Sequence, residues 1–304
     1  MKEQMKSKKW SLQKNFCNDN TKNEFTLKEF IRQIDLNSYK LKKIEAALHG
    51  TFKSTISGTG LDFNEIREYR IGDDLRHISW ASTAKTGTLQ TKEYFAEKEI
   101  RSYFLIDISN SMFCGNKLEP FVQLFAFLLN LSCSFSEKIG GLFFSNEIKY
   151  HFPTRESLSQ ANIIFQAFLD FFNNIKKDSL NTSTNTNLSK AIEFTNRYFV
   201  KKGMIFIISD FVNIANWEKI IYETSQKQNI YSFQIYDSID FSLPNSGYVS
   251  IIDPETNQRC IVNTDSKIIQ ETYQNLTNKK KEKLNSFLKS ISVNHLVIEK
   301  NDFV

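Results

Sequence analysis

The chain is poor in the residues that build disulfide frames, metal fingers and fibres. Its four cysteines, Cys17, Cys114, Cys133 and Cys260, lie far apart with no CxxC pair. That spacing excludes a finger-type zinc site and argues for reduced thiols in a cytosolic protein. The four histidines, His49, His77, His151 and His295, are also scattered and form no metal-ligand pattern. Four prolines and ten glycines in 304 residues exclude collagen-like and low-complexity classes. Charge of one sign is scarce as well. A net +5 is too small a surplus to imply nucleic acid, which needs clustered charge. The one basic run, "NKKKEK" at 278–283, reads as a solvated helix face. "GTG" at 58–60 lacks the third glycine of a dinucleotide fingerprint, and no Walker lysine loop is present, so any ATPase activity belongs to a partner. Nor is there a long uninterrupted apolar run. "FVQLFAFLLNLSCSF" is broken by Gln123 and Asn130 and suits a buried helix better than a transmembrane segment. The N-terminus is basic with no apolar stretch behind it, which does not fit a secretory signal. A cytoplasmic protein is expected, reaching the inner face of a membrane only through partners.

What is present is an ordinary soluble composition, 40% hydrophobic and 24% charged, with 27 phenylalanines to fill a sizeable core. Residues 1–24 read as a polar, flexible tail. Residues 25–99 read as a helical segment followed by a charged arm. The first helix carries Leu27, Phe30, Ile31 and Ile34 on one face, and the second, "SYKLKKIEAALHG", stops at Gly50. From residue 100 to 304 strands and helices alternate. "RSYFLID", "IGGLFFS", "GMIFIISD" and "IYSFQIYD" are apolar without polar alternation, and helices separate most of them. This predicts an α/β domain with a mostly parallel sheet covered on both faces. "EIKYHF" reads as a short hairpin arm, "GYVSIIDPETNQRCIV" as a C-terminal hairpin and "NHLVIEK" as a last strand. The helix before that strand places Ile269, Tyr273, Leu276, Leu284, Phe287 and Ile291 at helical spacing.

In such sheets binding groups gather at the carboxyl ends of the strands. Two apolar runs end in an acid there, Asp107 and Asp210. The first continues as "DISNSM", with hydroxyls at Ser109 and Ser111, and a threonine is expected from the loop before the helix at 188–200. All five groups supply oxygen. Carboxylates and hydroxyls without His or Cys suit a hard cation such as Mg²⁺, with Mn²⁺ as the other choice. Only two acids would leave the ion under-neutralised, so a carboxylate from a client protein would complete it. Two other readings stay open at this point. Ser109 or Ser111 could cap the helix near Leu118. Asp107 could instead be the nucleophile of a Mg²⁺-dependent phosphatase or hydrolase, although Ser109 stands where such enzymes carry a second acid.

The order Asp-x-Ser-x-Ser, loop threonine, strand-end aspartate resembles the von Willebrand factor A domain and its metal-ion-dependent adhesion site. The resemblance implies Asp107, Ser109 and Ser111, then Thr186 (or Thr184 in its place), then Asp210 as the metal set. It also implies a binding module and not an enzyme. Residues 58–94, "GTGLDFNEIREYRIGDDLRHISWASTAKTGTLQTKEY", resemble the signature of domain-of-unknown-function family fifty-eight. The matching residues are Asp62, Phe63, Glu65, Arg67, Tyr69, Gly72, Asp73, Asp74, Arg76, Trp80, Gly87 and Leu89. That family has a von Willebrand A-like domain and is associated with MoxR-type AAA+ ATPases. The resemblance therefore implies work beside such an ATPase in maturing or remodelling a protein complex. Within the signature, acids alternate with arginines. This implies an ion-paired arm with Tyr69 and Trp80 as apolar anchors, or a partner contact through Arg67, Asp73, Asp74 and Arg76.

Overall fold

The structure, a computed structural model, describes residues 26–32, 41–48, 63–94, 100–177, 186–212, 216–252 and 258–299. The expected tail at 1–24, Gly50, Thr184 and the tip of the C-terminal hairpin lie outside them. Thr26 opens the first helix, α1 (Leu27–Ile31), through a reciprocal capping box with Glu29. Helix α2 spans 41–48 and buries Leu41, Ile44 and Leu48.

Six strands form the central sheet: β3 (Arg101–Asp107), β4 (Lys138–Phe144), β5 (Ile148–Glu156), β6 (Met204–Ser209), β7 (Asn229–Ile235) and β10 (Asn294–Ile298). Their spatial order is β10-β7-β6-β3-β4-β5. All neighbours are parallel except β4 and β5, which form an antiparallel hairpin. The expectation of a mostly parallel, doubly covered sheet holds. Chain order reverses direction between β3 and β6, so their carboxyl ends flank the crevice where such sheets bind ligands.

Helices cover both faces, which is why β6 and the body of the neighbouring β3 are apolar from Met204 to Ile208 and from Phe104 to Ile106. One face packs Phe104, Ile106, Phe206 and Phe233 under α4 (Leu118–Phe135), α5 (Ser157–Lys177), α1 and α2. The other packs Tyr103, Leu105, Ile205 and Ile207 under α6 (Leu188–Tyr198), α7 (Glu218–Ser225) and α8 (Lys267–Ser290). Phe104, Leu105 and Ile106 are wholly buried, each worth about 1.5–3 kcal/mol over exposure. Successive burial on opposite faces fixes the register of β3 and therefore the place of Asp107. Gly141 in β4 is required for the same packing, since a Cβ there would stand 2.7 Å from the Phe104 carbonyl oxygen. Helix α4 is long and apolar enough, by length and composition, to cross a membrane. Most of it is buried against α5 and the sheet.

Outside the sheet stand two antiparallel ribbons. One pairs β1 (Phe63–Glu68) with β2 (Gln90–Tyr94), and α3 (Trp80–Thr86) lies between them in sequence. The other pairs β8 (Tyr248–Ile252) with β9 (Arg259–Asn263), the C-terminal hairpin expected from the sequence. The signature arm forms the β1–β2 ribbon outside the central sheet. Two expectations need correction. The arm's supposed anchor Trp80 is 70% exposed, because it opens a short helix with no buried residue. In α8, Leu276 reaches solvent instead of joining Leu284 and Phe287 on the packed face.

Candidate functional site

Strand β3 ends on Asp107, which is completely buried. The chain stays close to the sheet because the Ile108 N–H donates to the Phe144 carbonyl. It then makes one 3₁₀ turn, Asn110–Phe113, pinned by the fully buried Met112. The tight turn brings the Ser109 and Ser111 hydroxyls to 3.1 Å from each other. The Ser109 N–H donates to Asp107 Oδ1 at 2.9 Å. Neither serine caps a helix: Ser109 makes no side-chain cap bond to the 3₁₀ turn, and α4 is preceded by Lys117. The capping explanation for "DISNS" is thereby removed.

Strand β6 delivers the second half. Its last residue, Ser209, donates its hydroxyl to Asp107 Oδ2 at 2.6 Å and accepts the Phe211 N–H at 3.0 Å. Asp210 follows, 1% exposed. Its Oδ1 accepts the Val212 N–H, and its carbonyl accepts Gln234 Nε2. Phe211 takes a left-handed backbone, φ 56°, to make this sharp exit, a conformation costly for an aromatic residue. Burial, and then the neighbouring Asp210, push the Asp107 carboxyl well above the usual carboxylate range, against the pull of the Ser209 and Ser109 hydrogen bonds.

Thr186 is buried at the same sheet edge. The next residue, Asn187, donates its N–H to the Ser145 carbonyl at 2.7 Å and caps α6 with its side chain. Ser145 directly follows Phe144, the register partner of Asp107. All five residues of the predicted oxygen set therefore belong to one end of the sheet. Arg67, Asp73, Asp74 and Arg76 belong instead to the β1–β2 ribbon and are paired among themselves. Arg67 grips Asp73 with two bonds of 2.8 and 2.9 Å, and Arg76 meets Asp74 at 2.7 Å.

Sequence reasoning missed four residues here. Lys117 is buried, and its ammonium lies 3.1 Å from Asp210 Oδ2 and 3.0 Å from Asp240 Oδ2. Burial pulls its pKa down, but the two acids outweigh this and raise it. Asp237 Oδ2 accepts both the N–H and the side-chain amide of Asn116. Ser209 positions Asp107. A signal existed for each. "IYSFQIYD" ends a third buried strand near an acid, Asp237, with Asp240 three residues on. A lysine opens the apolar helix at "NKLEP", and a hydroxyl stands beside the acid in "IISD".

The arrangement suits a hard cation. Asp210 and Asp240 share the single ammonium of Lys117, and the completely buried Asp107 stands beside Asp210. Asp107 itself receives only neutral donors, which is a standing need for positive charge. Ser109 and Ser111 add two neighbouring hydroxyl oxygens of the kind Mg²⁺ and Mn²⁺ accept. Among the described residues no three His, Cys, Asp or Glu form a metal cluster, so the site depends on hydroxyls as much as on acids.

The family described as "Protein of unknown function DUF58" matches residues 65–283. That is well over half of the chain, and the chain belongs to this family. It is 25% identical over 219 residues to an uncharacterized protein of Mycobacterium tuberculosis, covering 71% of this chain and 67% of that protein. Among solved structures it is similar to an aerotolerance-related membrane protein from Bacteroides fragilis (14% identity, TM-score 0.44, 67% of this chain and 93% of that one). It is also similar to the conserved hypothetical protein BatB from Bacteroides thetaiotaomicron (15% identity, TM-score 0.40, 66% and 90%).

Proposed function

We propose that this DUF58 chain is a cation-dependent protein-binding module of the von Willebrand factor A type, not an enzyme. Asp107, Ser109, Ser111, Thr186 and Asp210 would hold Mg²⁺, or Mn²⁺ in its place, and the ion would recruit a carboxylate of a client protein. A MoxR-type AAA+ ATPase would act beside it in maturing or remodelling a complex, in the cytoplasm and near the inner membrane face through its partners. One observation supports this reading above the rest. The buried Asp107 carboxylate is held by a backbone N–H and a hydroxyl, beside the mutually bonded hydroxyls of Ser109 and Ser111 and a second buried acid.

When bound, the ion supplies a Lewis-acidic point for an outside carboxylate. The protein's share is positioning. Ser209 fixes the Asp107 carboxylate, the 3₁₀ turn presents Ser109 and Ser111 together, and Met112 keeps that turn seated. The phosphatase alternative has less support. Asp107 has both oxygens engaged, and Ser109 stands where a second acid would balance a covalent intermediate. Affinity capture from lysate with Mg²⁺ or with chelator, using wild type and Asp107→Ala, tests the proposal. An AAA+ ATPase or a complex subunit retained only by wild type with Mg²⁺ is the expected result. The same proteins under all four conditions would overturn it.

A further inference from the structure

Lys117 is the one buried ammonium at the sheet edge among the described residues, and its placement is specific. Its Nζ bridges Asp210 Oδ2 and Asp240 Oδ2 at 3.1 and 3.0 Å. The other oxygen of Asp210 is turned to the Val212 N–H. Both Asp210 oxygens are therefore taken, one of them by a full positive charge. Asp107 differs, since a backbone N–H and a hydroxyl are its partners. The two acids of the site are thus unequal: one is matched, and the other waits for a charge.

We infer that Lys117 is a built-in counter-cation that sets how tightly the sheet-edge site takes a divalent ion, by holding Asp210 against Asp240. The inference rests on the cation reading proposed above. A divalent ion that takes Asp210 directly must take it from the lysine. With Lys117 in place, Asp107 is the main anionic ligand, and the bound ion keeps most of its charge for an outside carboxylate. Lys117 is then a positioning residue that weakens the ion's hold on the protein and strengthens its pull on a client. Asp240 governs the balance. It sits in the 3₁₀ turn 238–240, and the same turn is stitched to the Lys117 loop through Asp237 and Asn116. With Asp240 present the ammonium is shared between two acids. Without it the ammonium rests on Asp210 alone.

The two substitutions therefore act in opposite directions. Lys117→Met frees Asp210 and removes a positive charge held 3.1 Å from a carboxylate that would ligate the ion. At that range a unit charge alters binding by at least about tenfold. Asp240→Asn leaves the lysine wholly to Asp210 and lowers affinity. The test is calorimetric titration of the full chain with Mn²⁺ alone, with Asp107→Ala defining binding elsewhere. Expected are Mn²⁺ binding by wild type that is lost in Asp107→Ala, tighter binding by at least about tenfold in Lys117→Met, and weaker binding in Asp240→Asn. Should Lys117→Met not fold, Asp240→Asn carries the test alone, and an affinity no lower than wild type overturns the inference. Wild-type binding with no gain in a folded Lys117→Met overturns the role of Lys117 while leaving the cation site standing. No Asp107-dependent binding in any variant overturns both.

Discussion

The chain contains a cation–aspartate pair in two settings. At the sheet edge, Lys117 meets Asp210 with side chains 4% and 1% exposed. In the β1–β2 ribbon, Arg76 meets Asp74 at 2.7 Å with side chains 86% and 38% exposed. The ribbon pair is shorter, and Arg is the better partner for a carboxylate. Yet burial, not distance, decides which pair matters. In water two such charges attract weakly, are screened by salt and lose side-chain freedom in pairing. Inside the protein Lys117 cannot be removed without leaving the Asp210 charge dry and unmatched. The segment with the most specific family resemblance is thus the energetically quieter one, and the sheet edge carries the weight.

The largest effect should come from breaking the buried pair. In chelator at neutral pH, Lys117→Met is expected to lower stability by about 3–5 kcal/mol, because two carboxylates lose their cation. Denaturant unfolding monitored by far-UV circular dichroism checks this. A loss under about 1 kcal/mol would place the pair with surface bridges and break the comparison.

A smaller effect belongs to the half-buried imidazole next to the site. His295 on β10 bonds Ser232 Oγ through Nδ1 at 3.0 Å and meets the Phe211 ring edge-on. Burial, and then Lys281, lower its pKa from 6.5 to about 4. The unfolded chain therefore binds this proton at a higher pH than the folded one does. Its contribution is fully present above pH ~6.5 and falls as pH drops toward ~4, by at most about 1.4 kcal/mol per unit. Stability curves of wild type and His295→Gln between those limits should diverge with that sign. Parallel curves would show that the ring is not dry.

Much of this was legible in the sequence because burial writes itself as composition. Phe104 to Ile106 and Met204 to Ile208 are apolar at every position, and that gave the parallel sheet and the place of Asp107 and Asp210 at its edge. Asp-x-Ser-x-Ser marked the turn, since hydroxyls at alternate positions have no reason in a core strand. What was not legible is that Lys117 and Asp240 meet. Their pairing joins residues 123 apart in the chain, and each alone reads as an ordinary surface charge. Trp80 misled for the converse reason. A tryptophan among charges suggests an anchor, but the residues that would cover it belong to a short helix with no buried face.

The smallest effects are expected in the ribbon, and they complete the comparison. Arg76→Ala should leave the unfolding midpoint where it was, since Asp74 still accepts the Arg76 backbone N–H and water solvates the freed carboxylate. Arg67→Gln should cost somewhat more. Arg67 grips Asp73 with two bonds, also meets Glu93 at 3.4 Å, and so staples the turn to β2. Both small losses should shrink in about 1 M salt, where the screening length falls to roughly 3 Å. The Lys117→Met loss should persist there, because ions in the solvent do not reach a buried pair. Matched unfolding curves at low and high salt for the three variants separate the cases. An Arg67→Gln penalty that survived high salt would mean the ribbon, too, holds its charges out of water, as a surface built to be covered would.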